Sequence, residues 1–316
     1  MIHFNSDATL RDVLNEEKLK DFSPYFYYSF PSEIYNKKID DTSWYARDAI
    51  NWFYDKTIEG KTSIIHFKKN ANLMQISHKN HAKFAFIVSG GGFVCIDTAH
   101  EGTPIGKELF DQGYDIFLLT YRLKENASLN KTTTDINNAL SYIVKNKEKL
   151  NVQMEDFMLV GGSAGAYVAA SYCSNNRGYI KHNNPKPGCL CLLYPIVDFR
   201  VPEENIKTTI IGSDPTIFLM NKYSITNHVK ETFPPTFIVH SKDDDCVPYE
   251  NSEMMVEALK KNGVKHQYIL FESGWHGASL ANRCVVTRRS DLTEPMKDIR
   301  DWPSLVADFI FDILEK

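Results

Sequence analysis

Gly161-Gly162-Ser163-Ala164-Gly165 is the segment of this 316-residue chain best suited to hold a nucleophile. It follows an apolar run, Phe157–Val160, that reads as a strand, and it precedes a helical pattern starting near Ala164. A sharp strand-to-helix turn strains the serine's backbone and leaves its oxygen proud of the sheet. Small residues are needed two before and two after, because side chains would collide there. The helix N-terminus just beyond favours negative charge. A phosphate-binding loop is also glycine-rich, but it needs the lysine of G-x-x-x-x-G-K-[ST], which is absent.

A serine that attacks a carbonyl also needs backbone N–H donors aimed where negative charge develops. Ser89-Gly90-Gly91-Gly92-Phe93 directly follows the strand-like run Lys83–Val88. Gly91, Gly92 and the N–H of Ala164 are the expected oxyanion donors. The acid is expected after a later strand, in Asp243-Asp244-Asp245-Cys246-Val247-Pro248. Such a cluster can be a solvated loop, or a Ca²⁺ or Mg²⁺ site, but a metal would want more oxygen ligands at regular spacing. Asp244 is preferred because Val247-Pro248 follows at the interval expected of a triad acid; Asp243 and Asp245 stay open. The base is expected last. Of the ten histidines, only His276 lies after a late strand, Gln267–Phe271, between glycines Gly274 and Gly277. In these roles His276 takes the proton of Ser163, and Asp244 fixes the imidazole tautomer. The order serine, aspartate, histidine is that of α/β-hydrolases, not of chymotrypsin or subtilisin.

The elements that must position these residues are legible as alternating patterns. Ser63–Phe67 and Leu73–Ser77 read as a hairpin. Strands follow at Lys83–Val88, Asp115–Thr120, Phe157–Val160, Gly188–Tyr194, Thr236–His240 and Gln267–Phe271. Their nearly continuous apolar character suits strands buried on both faces. Helical stripes run over Asp135–Leu150 and Tyr249–Lys261, the latter stopped by Gly263, and a last helix has Asp301 as N-cap with Pro303 in its first turn. Strands alternating with helices predict a mostly parallel twisted sheet of about eight strands, covered on both faces. Residues 1–62, with the aromatic run Tyr25–Tyr28 and then Trp44, Trp52, Phe53 and Tyr54, read as a helical flank packed on a main domain of residues 63–316. A sharper reading has these aromatics wall a substrate cleft. The connection between Tyr194 and Thr236 is long for an α/β crossover, and residues 198–233 are expected to form a short cap over the site.

Composition excludes several classes. Net charge is −4, with no basic run or stacking platform for nucleic acid. No stretch approaches the ~18 apolar residues of a membrane span. Charges scattered over the first 30 residues leave no apolar signal-peptide core. The six cysteines show no C-x-x-C or zinc spacing and read as reduced thiols of a cytoplasmic protein. Cys95 and Cys246 are expected as small packing residues. No cofactor and no metal are called for.

The motifs together resemble those of the α/β-hydrolase group that contains the acetyl esterases and hormone-sensitive-lipase-like carboxylesterases. The resemblance runs from about residue 63 to the end. It is carried by the glycine triplet, Glu101-Gly102, Gly113-Tyr114, Thr120-Tyr121-Arg122-Leu123, the Gly161–Gly165 elbow, Tyr194-Pro195, Pro234-Pro235-Thr236-Phe237, Val247-Pro248 and His276-Gly277. It implies an α/β-hydrolase fold and hydrolysis of carboxylic esters, short acyl groups such as acetyl first, on a small-molecule or sugar substrate. Departures are Ser89 before the glycines, Ala166 and Tyr167 after the elbow, and Ser241. A prolyl-oligopeptidase-type peptidase would add a propeller or an acidic amine-binding pair, and neither is found; a hydrolase-fold binding protein has no need of the whole serine, aspartate and histidine set. Glu101 is expected near the N-terminus of the next helix, with contact to substrate or the oxyanion loop as the alternative, and Arg283, Arg288 and Arg289 on a solvated loop, with an acidic substrate as the alternative. A homodimer is left open.

Overall fold

The apolar runs fold as strands and the periodic segments as helices, in the alternation that covers a parallel sheet on both faces. The computed structural model describes residues 3–39, 47–123, 129–201, 211, 216–272, 274, 276–279 and 302–314. In chain order the strands are β1 (Tyr27–Tyr28), β2 (Thr62–Lys68), β3 (Ala71–Ile76), β4 (Ala82–Val88), β5 (Ile96–Asp97), β6 (Asp115–Thr120), β7 (Val152–Gly162), β8 (Cys189–Leu193), β9 (Thr236–Ser241) and β10 (His266–Phe271). The helices are α1 (Leu10–Asn15), α2 (Ser23–Phe26), α3 (Arg47–Ile58), α4 (Thr98–Glu101), α5 (Thr103–Asp111), α6 (Leu129–Lys145), α7 (Lys147–Leu150), α8 (Ser163–Cys173), α9 (Tyr179–His182), α10 (Ile217–Tyr223), α11 (Glu250–Lys261) and α12 (Trp302–Leu314).

Eight strands form one sheet in the order β10-β9-β8-β7-β4-β6-β3-β2. Neighbours from β10 to β6 are parallel, and only β3 runs against them. This is the α/β-hydrolase fold. Alternate residues of each strand serve opposite faces. Phe84, Phe86 and Val88 of β4 pack with Ile136 and Leu140 of α6 and Val168 of α8. Ala85 and Ile87 pack with Phe53 of α3, Leu109 of α5 and Trp302 of α12. Fully burying one such side chain contributes ~1.5–3 kcal/mol.

Two elements differ from the sequence reading. Helix α6 begins at Leu129, not Asp135, and the chain breaks at Asn146 before α7. Three successive threonines, β-branched and poor helix formers, hide that first turn. Their hydroxyls satisfy helix carbonyls instead: Thr132 and Thr133 donate to Leu129 O at 3.0 and 2.8 Å, and Thr134 to Asn130 O at 2.7 Å. Strand β7 begins at Val152, five residues before the apolar run, because its first half is half-exposed and shifts register against β4.

At the N-terminus, Phe26 and Phe22 meet Phe53 edge-on at 5.0 and 5.2 Å, and Trp52 meets Phe110 at 5.6 Å. Strand β1 pairs with β5, just past the glycine loop. Beyond the end of β6, Arg122 grips the fully buried Asp135 of α6 with both arms of its guanidinium at 2.7 and 2.8 Å. Lys68 at the end of β2 reaches the same carboxylate at 3.4 Å. Within the expected cap, residues 202–210 and 212–215 lie outside the described residues. Its helix α10 is tied to α8: Tyr167 Oη donates to Tyr223 O at 3.1 Å, and Arg177 donates to Lys222 O. Asp301, Arg283, Arg288 and Arg289 lie outside the described residues. Among the described residues no helix is long and apolar enough to cross a membrane, and no cysteine forms a disulfide.

Candidate active site

Ser163 opens α8 at the end of β7, with φ +51, a left-handed conformation that is costly for a side-chain-bearing residue. The glycines around it are there for space. A Cβ on Gly161 would lie 2.6 Å from Ala166 Cα, and one on Gly165 would lie 2.0 Å from Val88 O. The turn is therefore wedged between the central strand and its own helix. Its serine oxygen stands 2.7 Å from His276 Nε2.

His276 follows β10, and Gly277 after it takes φ +75. Its Nδ1 meets the Asp244 carboxylate at 2.9 and 3.1 Å. With Nδ1–H donating to a carboxylate, Nε2 is left as acceptor for the serine proton. The three aspartates divide the work. Asp244 binds His276, Asp243 accepts from Gly274 N at 2.6 Å and so holds the histidine's loop, and Asp245 is exposed. Asp244 Oδ1 also accepts from the N–H groups of Cys246 and Val247 at 2.9 and 2.8 Å. Cys246 itself is exposed, not the packing residue expected of it.

Asp244 has a second imidazole. His240 Nε2, at the end of β9, lies 3.1 Å from Asp244 Oδ2 and 2.9 Å from Val247 O, while its Nδ1 faces Ser252 Oγ at 2.8 Å. Both side chains are buried. Burial alone would raise the Asp244 pKa, but hydrogen bonds from His240 and His276, with their charge, pull it well below the usual carboxylate range.

The glycine loop after β4 turns tightly. Gly91, Gly92 and Phe93 take φ +127, +62 for Phe93 and +61 for Gly92, and Gly91 O accepts from Val94 N and Cys95 N, both at 3.1 Å. A Cβ on Gly91 would fall 2.4 Å from Cys95 O, so this close approach admits only glycine. Among the described residues nothing accepts from the N–H groups of Gly91 and Gly92. Ala164 is in the first turn of α8, where N–H groups have no intrahelical partner. Gly90 differs from its neighbours, since its N–H donates to Glu101 Oε2 at 2.5 Å.

Glu101 stands where the sequence reading put it, just before the N-cap Gly102 of α5. It ends α4 with its side chain buried, and Tyr194 Oη lies nearby: a Cβ on Gly162 would fall 3.1 Å from Glu101 Oε2 and 3.3 Å from Tyr194 Oη. Burial raises its pKa, opposed by the charge of His276, the bond from Gly90 and the Tyr194 hydroxyl. Tyr194, just past β8, sets its ring edge-on to His276 at 5.2 Å, and its Oη accepts from Ser279 N at 3.2 Å. His240 and Tyr194 carry no catalytic role in the sequence reading, which weighed a contact of Glu101 with the oxyanion loop only as the lesser alternative. The available signal was positional: His240 and Tyr194 sit where strands end, on the edge that carries Ser163. Among the described residues no three His, Cys, Asp or Glu side chains gather as metal ligands would.

The BD-FAE family profile matches residues 73–259. An endo-1,4-beta-xylanase B of Butyrivibrio fibrisolvens is 29% identical over 224 residues, 67% of this chain. The match spans only 35% of that xylanase's own length. Among solved structures, an acetyl ester-xyloside bifunctional hydrolase of Caldicellulosiruptor lactoaceticus superposes with TM-score 0.64 at 26% identity, covering 77% of this chain and 87% of that one. A sugar hydrolase of Lactococcus lactis superposes with TM-score 0.69 at 27% identity, covering 80% and 98%.

Proposed function

Because this chain belongs to the BD-FAE family of α/β-hydrolases, we propose that it is a serine hydrolase of carboxylic esters, working through Ser163, His276 and Asp244. The observation that carries the reading is the hydrogen-bonded series from Ser163 Oγ to His276 at 2.7 Å and from His276 to Asp244 at 2.9 Å, with the serine held at φ +51.

As Ser163 Oγ bonds to the acyl carbon, its proton passes to His276 Nε2. The carbonyl oxygen becomes an oxyanion that accepts from Gly91, Gly92 and Ala164 N–H. Collapse breaks the bond to the alcohol, which leaves with the proton from His276. Water then repeats the sequence, giving its proton to His276 and releasing the carboxylic acid. Asp244 stays ionised and stabilises the imidazolium. No step calls for a cofactor.

The substrate reading is a short acyl group, acetyl first, on a sugar or other small alcohol. It is supported by the bifunctional hydrolase above, whose name couples acetyl ester to xyloside. It is also supported by an open cavity of about 470 Å³ lined by Tyr25, Tyr28, His66, Phe67, Lys68 and Asn70, among others. The cavity lies at the β2–β3 hairpin tip, at the end of the sheet toward which the parallel strands run, but β6 and β4 separate it from β7 and none of Ser163, Asp244 and His276 lines it. Its tyrosine faces and amide groups suit a hydroxyl-rich ring better than a long acyl chain.

The test is hydrolysis of p-nitrophenyl esters from acetyl to octanoyl, with Ser163→Ala as control. Acetate turnover that falls with chain length and vanishes in the variant is expected. A maximum at octanoyl would overturn the short-acyl reading. Failure to cleave any ester, with Ser163 still labelled by a fluorophosphonate, would point to a binding protein or a narrow-substrate hydrolase.

A further inference from the structure

Three glycines from three different loops make room for one carboxylate. A Cβ on Gly90, in the glycine loop, would lie 2.5 Å from Glu101 Oε2. One on Gly162, next to Ser163, would lie 3.1 Å from the same oxygen, and one on Gly277, next to His276, 3.5 Å from Oε1. Glu101 thus touches the oxyanion loop, the nucleophile's turn and the histidine's loop at once. Its neighbour His100 reinforces the arrangement, with Nε2 2.6 Å from Gly277 O.

We propose that Glu101 is a positioning residue for both halves of the site: its ionised carboxylate anchors the glycine loop through Gly90 N–H and keeps a second negative charge close to His276. The proposal rests on the ester-hydrolase reading above.

The proton inventory favours the ionised form. Ser279 N–H occupies the Tyr194 oxygen as acceptor, which leaves the tyrosine's own proton free to turn toward the neighbouring Glu101 carboxylate. Gly90 N–H supplies a second donor. A carboxylate accepts both; a carboxylic acid would bring a proton to a place that already offers two. The groups facing His276 are Ser163, Asp244, Tyr194 and Glu101, with His240 behind Asp244. Those facing Glu101 are His276 and Tyr194, with Tyr121 beyond. Buried Glu101 is the only one of these besides Asp244 that can bring negative charge to the imidazolium formed as Ser163 attacks. Its first effect acts through Gly90 on the next two residues, whose N–H groups must point at one oxygen.

Glu101→Gln and Glu101→Asp separate the two effects. The readouts are kcat and KM for p-nitrophenyl acetate, and the rate of Ser163 labelling by a fluorophosphonate, between about pH 5 and pH 9. An ionised Glu101 attracts the imidazolium that forms as Ser163 attacks, so removing its charge should show in the pH dependence of both readouts. Glu101→Gln should move the acid limb of both profiles to lower pH by about half a unit or more. It should also lower the kcat plateau about tenfold to a hundredfold with little change in KM. Glu101→Asp keeps the charge but falls short of Gly90, so its limb should stay near the wild type while its plateau falls. A Glu101→Gln protein with the wild-type limb would mean that Glu101 is neutral, and would overturn the proposal; so would a loss confined to KM. If Glu101→Gln does not fold, Tyr194→Phe removes one donor and keeps the ring against His276. It should shift the limb in the same direction, and an unshifted limb would overturn the proposal. Labelling needs no ester, so a wild type that labels without turnover sinks the esterase reading alone and leaves Glu101 tested by its labelling profile.

Discussion

Each imidazole of the site faces acid, and the acid faces two imidazoles. Asp244 lies between His276 and His240, and its held-down pKa keeps it ionised wherever the enzyme works. Ser163→Ala should lower kcat/KM for p-nitrophenyl acetate by at least about 10⁴-fold with an unchanged thermal melt. His240→Ala should leave Asp244 with one imidazole, letting its pKa rise and lowering kcat about tenfold; a wild-type rate would show that His240 only fills space. The sign of the stability effect follows from the direction of the shift. A carboxyl depressed in the folded state stabilises the fold above its unfolded pKa, ~3.9, and loses that contribution as pH falls through the folded value. Asp244→Asn should therefore melt below the wild type at neutral pH, and the gap should begin to narrow only below about pH 4 in a series of thermal melts. Ser163, Asp244 and His276 could be read from the sequence because each sits in a local pattern whose order is informative. His240 and Tyr194 could not, and Glu101 could be only as an alternative. A histidine or tyrosine ending a strand looks like any other, and the partner of Glu101 lies across the fold in Gly90, eleven residues back.

Among the elements, the turn between β7 and α8 is fixed by steric space and not by glycine flexibility. Gly165 has no positive φ, yet a methyl there would run into Val88 O. Gly165→Ala should destabilise by at least about 2 kcal/mol, read as a lowered urea midpoint, and should abolish activity. Gly113 is the opposite case, with φ +98 and nothing within 4 Å of an added Cβ. Gly113→Ala should cost only about 1 kcal/mol and leave activity alone. The clasp of Arg122, Asp135 and Lys68 fastens the ends of β6 and β2 to α6, with Asp135 fully buried. Asp135→Ala strands a guanidinium beside apolar neighbours and should cost about 3–5 kcal/mol by the same measurement. Strands buried on both faces were legible as apolar runs. The first turn of α6 was not, because side-chain hydroxyl bonds to its own carbonyls override the poor propensity of three threonines. Nor was the first half of β7, whose outward residues are polar.

For the molecule as a whole, the N-terminal aromatics divide between two jobs that composition could not distinguish. Phe22, Phe26, Trp52 and Phe53 are core, while Tyr25 and Tyr28, stacked at 6.3 Å, face the open cavity at the sheet's edge. If that cavity seats the alcohol part of the ester, Tyr28→Ala should raise KM for an acetylated xyloside severalfold and leave p-nitrophenyl acetate kinetics unchanged; equal effects on both would place Tyr28 outside substrate recognition. The groups proposed for chemistry come from the far side of the sheet, off the ends of β7, β9 and β10. The serine and its histidine are 113 residues apart in sequence. On a ribosome adding about 5–20 residues per second, that interval is roughly six to twenty seconds. Throughout it the nascent chain carries an unactivated alcohol, because His276, the imidazole proposed to take its proton, has not yet been made. On the proposed mechanism hydrolytic power arrives last, just past the final strand of the sheet, so a chain that ends before His276 should be chemically harmless to the esters around it.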